Sequence, residues 1–211
     1  MSTYLQMQDE VLAYGFDIGV YRNRVKVWLN DAQSEIARRI EIPELFTGQA
    51  TVTVPGTQAY TLNIDIVRID FVFMYNRPSP TSAERMALTP STYKDVITYT
   101  AEANRGFPEV YALDSASIIF APIPDAAYNF TVGYYKRPVD LVADSDVSSL
   151  TGDYHKAIIR YAVAEAYMAE DDNEMHNYHM GRFEKTLMDM RTDRQAEIDD
   201  GPVQIGGTWS N

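Results

Sequence analysis

Cysteine is absent from the 211 residues of this chain. Without a thiol, the protein forms no disulfide bond, cysteine nucleophile, zinc finger or iron–sulfur cluster. Basic residues are scarce: 18 lysines and arginines stand against 30 acidic residues, which gives a net charge of −12 and a pI near 4.6. Since duplex DNA is bound through many Lys/Arg–phosphate contacts, this charge argues against tight, sequence-independent DNA binding. It does not argue against a protein through which DNA passes.

Long apolar runs and nucleotide-binding motifs are also missing. No stretch approaches the roughly 20 apolar residues of a membrane span, and residues 1–10 have neither the basic nor the apolar region of a signal peptide. The glycine-rich phosphate loops and the Gly-x-Ser-x-Gly nucleophile motif do not occur. We therefore expect a soluble, non-secreted protein, whose 45% apolar residues are enough to build a core.

Both ends of the sequence have apolar residues at the spacings of three and four that are typical of helices. The clearest stripe includes Val25, Leu29 and Ile36, and Pro43 ends that helix. Residues 137–149 form a linker before the helical period returns. Four terminal helices are predicted, over residues 4–14, 20–41, 154–168 and 174–198.

The middle of the chain alternates apolar and polar residues with a period of two, which is typical of strands. We expect a hairpin of residues 50–54 and 59–62, a loop over 76–84 and a short helix from about 89 to 99. Further strands are predicted over 66–75, 109–113, 117–121 and 128–136. The predicted fold is α+β: residues 1–46 and 147–200 form a helical bundle, residues 47–146 an inserted β-rich domain, and residues 201–211 a flexible, extended C-terminal tail.

Few residues are candidates for chemistry. His176 and His179 lie one helical turn apart near several carboxylates, a set that is compatible with a metal ion. No third ligand follows from the spacing, so we predict no metal and no cofactor, and these two histidines remain weak candidates. His155 is interpreted as a packing residue, since no partner for a general base can be named.

The aromatic residues and the acidic residues point to assembly and to solvated surfaces. Fifteen tyrosines are many for a monomer. A sheet that helices cover on one side and a subunit interface, where tyrosine is favoured, both explain them. Trp209 lies in the tail, where it adds nothing to a core but can fill a partner's pocket. Residues 165–200 contain eleven acids and four bases; a solvated face is the favoured interpretation, and a calcium-attracting patch or a wall facing DNA are the alternatives.

Several stretches, in this order and spacing, carry a resemblance to a known family. They are 27–36 (VWLNDAQSEI), 88–93 (LTPSTY), 106–114 (GFPEVYALD), 118–125 (IIFAPIPD), 132–141 (VGYYKRPVDL), Leu150, 153–162 (DYHKAIIRYA) and the later pair Asp171 and Asp172. The chain resembles the head-to-tail adaptor (connector) proteins of short-tailed bacteriophages over about residues 25–187.

The resemblance implies a structural protein without enzyme activity, located at the head–tail junction of a virion and assembled in the host cytoplasm. It implies a homo-oligomeric ring, typically of twelve subunits, beneath the portal protein. The ring would extend the DNA channel, let genomic DNA pass without specific binding, and dock tail nozzle or fibre proteins. It also implies that the C-terminal tail reaches into the portal, with Val203, Ile205 and Trp209 as anchors. Two alternatives stay open: a tail-associated module that binds carbohydrate or protein, and a metal-dependent hydrolase that uses His176 and His179.

Overall fold

The chain folds into two compact units, Met1–Ile40 with Pro138–Asn211 and Glu41–Arg137. The computed structural model describes residues 2–63, 65–75, 85–98, 105–150 and 152–199, with the backbone alone for residues 153 and 193–199. Helices and sheets are both present, which confirms the predicted α+β class. The predicted flexible tail, residues 201–211, lies outside the described residues.

Four helices lie in the described part of the first unit, and their bounds agree closely with the predicted ones. They are α1 (Tyr4–Leu12), α2 (Ile18–Arg39), α4 (Gly152–Ala169) and α5 (Asn173–Asp199), while the short helix α3 (Tyr93–Thr98) belongs to the second unit. Thr3 begins α1 with a capping box to Gln6, and the Asp17 carboxylate begins α2 by accepting from the backbone N–H of Gly19 at 2.7 Å.

The core of the helical unit lies along the apolar stripe predicted for α2. Val25, Leu29 and Ile36 are fully buried, and α2 packs against α4. Four of the buried residues of α4 are alanines, which lets α1, α2 and α5 approach it closely. Fully buried Phe183 on α5 packs its ring against Tyr161 of α4, with 5.3 Å between the centroids.

Hydrogen bonds between polar side chains and the backbone hold the segment before α4, residues 141–150, against α2. The Asn30 side chain accepts from the N–H of Leu141 at 2.8 Å and donates to the Leu141 carbonyl at 3.0 Å. The Gln33 amide donates to Asn30 at 3.0 Å and accepts from the Ser148 hydroxyl at 2.6 Å, and Ser148 in turn accepts from the N–H of Leu150 at 3.1 Å. Residues 138–150 therefore belong to the helical unit, whereas the sequence assigns most of them to the β-rich domain.

Among its described residues, the second unit has two four-stranded sheets and one short strand pair. The first sheet has the order β1 (Phe46–Val52), β10 (Asn129–Lys136), β3 (Ile66–Tyr75), β4 (Arg85–Ala87), and all its neighbours are antiparallel. The second has the order β2 (Ala59–Thr61), β8 (Ser117–Ala121), β7 (Val110–Asp114), β5 (Thr89–Pro90), and β6 (Arg105–Gly106) pairs with β9 (Ile123–Pro124). A core of residues from both sheets includes Val72, Met74, Phe120, Phe130 and Val132.

Two predictions for this unit are wrong. Strands β1 and β2 do not form a hairpin, because β1 pairs with β10 in the first sheet and β2 with β8 in the second. The turn at residues 55–58 carries the chain from one sheet to the other, and Gly56 at its tip donates to the Pro124 carbonyl at 2.8 Å. Thr89–Pro90 is a strand instead of a helix start, and α3 begins after Thr92, whose hydroxyl accepts from the N–H of Asp95 at 3.2 Å.

Candidate functional site

The two weak metal candidates on α5 lie in different surroundings. Nδ1 of His176 lies 2.9 Å from the backbone carbonyl of Ala164 on α4. His179 is only 3% exposed, and its Nδ1 has no hydrogen-bond partner among the described residues. The rings of Tyr14, Tyr167 and Tyr178 surround it at centroid distances of 5.1 to 5.3 Å. Burial, and then the cations of Arg182 and Arg160, lower the pKa of His179, so this imidazole is neutral at pH 7.

The structure does not bring these histidines together with carboxylates in a metal-ligand arrangement. In the described part of the chain, no three His, Asp or Glu residues form a group that could hold a metal ion. Asp172, one of the carboxylates near them in sequence, instead accepts from the backbone N–H of Met175 at 3.0 Å, at the start of α5. The local chemistry there is that of a helix cap.

His155 is a buried residue at the start of α4. It is 5% exposed, and its Nδ1 lies 3.4 Å from the backbone N–H of Ser2. Burial lowers its pKa too. These surroundings are those of a packing residue.

Part of the acidic surface of α5 is tied to α2 through arginine. Arg39 forms ion pairs with Glu35 on its own helix and with Glu184 on α5, and its guanidinium lies 5.8 Å from the centre of the Phe183 ring. An open groove of about 840 Å³ lies beside this contact, with Lys185 and Met188 among its lining residues. Glu184 is therefore paired with a base, and the groove beside it is lined mainly by basic and apolar side chains.

The outer face of the first sheet has a row of aromatic rings. Phe46 lies 6.1 Å from Phe71 and 5.3 Å from Tyr135, and Phe71 lies 4.5 Å from Phe73, measured between ring centroids. Guanidinium groups cover both ends of the row: Arg68 lies over Tyr135 at 5.0 Å, and Arg85 lies over Phe73 at 4.9 Å. We call these four rings and two arginines the aromatic row.

A glycine makes this arrangement possible. Gly133 on the central strand β10 is paired with Phe71, and a Cβ atom built on Gly133 would lie 2.5 Å from the Phe71 ring. With no side chain at this position, the ring lies flat across the sheet. Sequence reasoning missed the aromatic row, although the alternation Phe71-Val72-Phe73 placed two rings on the face opposite the core.

The residues predicted to anchor the C-terminal tail, Val203, Ile205 and Trp209, lie outside the described residues. Within the described part of the chain, no helix is both long and apolar enough to span a bilayer.

Both units of the chain are similar to a known protein family. A protein-family model described as SU10 adaptor protein matches residues 2–206. No curated protein sequence matches the chain. The match includes every stretch on which the resemblance to phage adaptors rests, and that resemblance is confirmed.

Proposed function

Since the chain belongs to the SU10 adaptor family, a family of structural adaptor proteins in phage virions, we propose that it forms a ring beneath the portal of a short-tailed bacteriophage. The ring, typically of twelve subunits, extends the DNA channel and offers the docking platform for tail nozzle or fibre proteins. The observation that carries this proposal is the family match over residues 2–206, which takes in the helical unit and the β-rich unit together.

Charge and surface chemistry support a conduit role for the ring. A net charge of −12 disfavours adhesion of the phosphate backbone to a channel wall and so avoids electrostatic trapping of DNA. A closed ring of one subunit type uses heterologous interfaces, in which two different patches of the chain meet. Exposed aromatic side chains, such as those of the aromatic row, are typical of the patches that form protein–protein interfaces. We propose no catalytic step.

The C-terminal tail is proposed as the portal anchor. We keep the division expected from the sequence, into a bundle, an inserted β-rich domain and an extension over residues 201–211, but the β-rich domain is taken as residues 41–137, the bounds of the second compact unit. Val203, Ile205 and Trp209 would insert into apolar pockets of the portal. Twelve such tails acting together would bind far more tightly than one, because each attached tail raises the effective concentration of the next.

The test mixes the protein with the portal protein of the same phage and images the product by electron microscopy. We expect a ring of adaptor subunits stacked on one end of the portal. A variant that lacks residues 202–211 should keep its thermal unfolding profile but lose attachment, and a variant with alanine at Val203, Ile205 and Trp209 should reproduce the loss.

Two outcomes would contradict parts of this proposal. Full attachment by the truncated variant would remove the tail-anchor role and leave the ring intact. Capture of glycans by a protein that never binds the portal would replace the ring with the tail-associated binding module.

A further inference from the structure

Strand β1 is an edge of the first sheet, and no strand of the described residues pairs with its outer side. Its seven residues, FTGQATV, include no charged residue and no proline, and it pairs with β10 without a register shift from Phe46 to Val52. Proteins usually guard exposed edges with charges, prolines, bulges or short strands, because an open edge recruits another strand. None of these devices is present in β1.

The hydrogen bonds next to β1 show which of its backbone groups face outward. The backbone N–H of Thr53 donates to the Tyr128 carbonyl at 2.8 Å, so the backbone groups of Thr53 face β10. In an antiparallel pair the bonding side alternates with each residue, which directs the N–H and C=O groups of Gly48, Ala50 and Val52 away from β10. Among the described residues these groups have no hydrogen-bond partner. Ala50 and Val52 are exposed, the latter at 46%.

The opposite edge of the same sheet, β4, is short and carries Arg85, but no described residue pairs with its outer side. Leu88, just beyond it, donates to the Val72 carbonyl at 2.9 Å, which places Leu88 on the side that bonds to β3. By the same alternation, the backbone groups of Arg85 and Ala87 are directed outward. All three residues of β4 are exposed.

The number of strands determines how two copies of this sheet fit together. Four antiparallel strands give edges that run in opposite directions, since each neighbour reverses the chain. When the sheet is repeated head to tail, β1 of one copy therefore lies antiparallel to β4 of the next, and the aromatic row stays on the same face. No strand reversal and no second type of partner are needed.

From this geometry we infer that β1 of one subunit adds to β4 of its neighbour by main-chain hydrogen bonds, so that the sheet continues from subunit to subunit. The inference rests on the proposed ring and names one of its two complementary patches. A ring of identical subunits supplies one β4 for every β1. Pairing of two β1 strands across a two-fold axis would instead give an isologous contact that closes as a dimer and leaves both β4 edges unpaired.

Cysteine crosslinking tests the contact directly, because the chain has no cysteine of its own. Hydrogen-bonded residues opposite each other in an antiparallel pair have Cα atoms about 5.5 Å apart, the separation preferred by disulfides. We expect the double variant Ala50→Cys with Ala87→Cys, assembled on the portal and oxidised, to give a ladder of covalent multimers on a denaturing gel. The double variant Gly48→Cys with Ala87→Cys tests the pairing in which β1 is shifted by two residues along β4.

The matched control is Thr51→Cys with Ala87→Cys, because Thr51 is exposed but bonds to β10 and directs its side chain to the opposite face. It should give no ladder. The single variant Ala50→Cys should stay monomeric on the gel. Assembled rings without a ladder in either register, or dimers from Ala50→Cys alone, would overturn the edge contact while leaving the ring in place.

Proline substitutions separate head-to-tail pairing from the two-fold alternative. Ala50→Pro and Ala87→Pro each remove one outward N–H without touching a bond inside the sheet. Each variant alone should fail to assemble, whereas an equal mixture should give one-to-one dimers through the two intact edges. The control Ala50→Val keeps the backbone N–H at position 50 and should assemble like the wild type. Thermal unfolding checks that each variant is folded.

The outcomes distinguish this contact from the ring itself. Normal rings from Ala50→Pro would refute the edge contact and leave the proposed function standing. Dimers formed by Ala87→Pro alone would also refute it, since they require two β1 strands. A wild-type chain that does not assemble on the portal would refute both.

Discussion

The amide of Gln33 is the centre of the polar network that holds residues 141–150 on α2, and we predict that replacing it with leucine destabilises the helical unit. Gln33 is 1% exposed, and its side chain makes two hydrogen bonds, to Asn30 and to Ser148. Leucine has a similar volume and creates no large cavity. The effect of the substitution is therefore the loss of the polar contacts.

The magnitude follows from the partners that remain. Two lost hydrogen bonds cost about 1 kcal/mol each, and the Ser148 hydroxyl, buried at 4% exposure, is left without an acceptor at a further cost of about 1–2 kcal/mol. Asn30 keeps both of its bonds to Leu141 and adds little. After the apolar gain of leucine is subtracted, we expect the free energy of unfolding to fall by about 2–3 kcal/mol.

A double-mutant cycle isolates the contact between Gln33 and Ser148. In the Gln33→Leu background the Ser148 hydroxyl has already lost its acceptor, while its oxygen accepts from the N–H of Leu150 in both backgrounds. Ser148→Ala should therefore cost about 1–2 kcal/mol less there than in the wild type. Urea unfolding followed by Trp28 fluorescence reports on α2 and therefore on this unit, with Trp209→Phe as the common background. Additive effects, within about 0.3 kcal/mol, would refute the proposed coupling.

Three further substitutions test other parts of the structure. Phe183→Ala should lower the free energy of unfolding by about 3–5 kcal/mol in the same urea assay, because the ring is fully buried; a loss below about 1 kcal/mol would contradict that packing. The pKa of His179 is lowered in the folded state, so the unfolded state binds more protons and the free energy of unfolding should decrease as the pH is lowered below about 6.5, by up to about 1.4 kcal/mol per pH unit. His179→Phe should flatten this pH dependence. Equal slopes in wild type and variant would contradict the buried neutral imidazole. Gly133→Ala should displace the Phe71 ring, visible as a shift of its aromatic NMR signals, since a Cβ would lie 2.5 Å from it; unchanged signals would refute the contact.

The helices were the most predictable part of the fold, and their caps explain why. α2 has a long apolar stripe with Pro43 after it, so its period and its end signal agree, while its start lies two residues before the predicted one, after the N-cap Asp17. The break between α4 and α5 was equally clear from the run Asp171-Asp172-Asn173. Local signals of this kind determine helix position within a residue or two.

The β-rich unit was less predictable because its pairing is non-local. The turn at residues 55–58 has the composition of a hairpin turn, yet the strands on either side join different sheets. The partner of β1 is β10, about eighty residues later in the chain, and no short-range pattern distinguishes that partner from β2. The sequence Thr89-Pro90 likewise predicts a helix start, because proline is common in the first turn of a helix. In the structure these two residues pair with Val110 and Tyr111 and form a strand.

The same non-locality explains why no motif indicated an interface. The residues of β1 have the composition of any half-exposed strand, and their significance depends on β1 being the outermost strand of its sheet. A lysine or a proline in β1 would indicate an edge that is protected against pairing. The lack of both indicates an edge open to pairing, but this follows only after the structure has shown that β1 is an edge strand. An adaptor acts by holding neighbours in a fixed geometry, and main-chain groups at a strand edge can do this without any characteristic side chain. For such a protein, the topology of the sheet is therefore the more specific guide to function than its reactive residues.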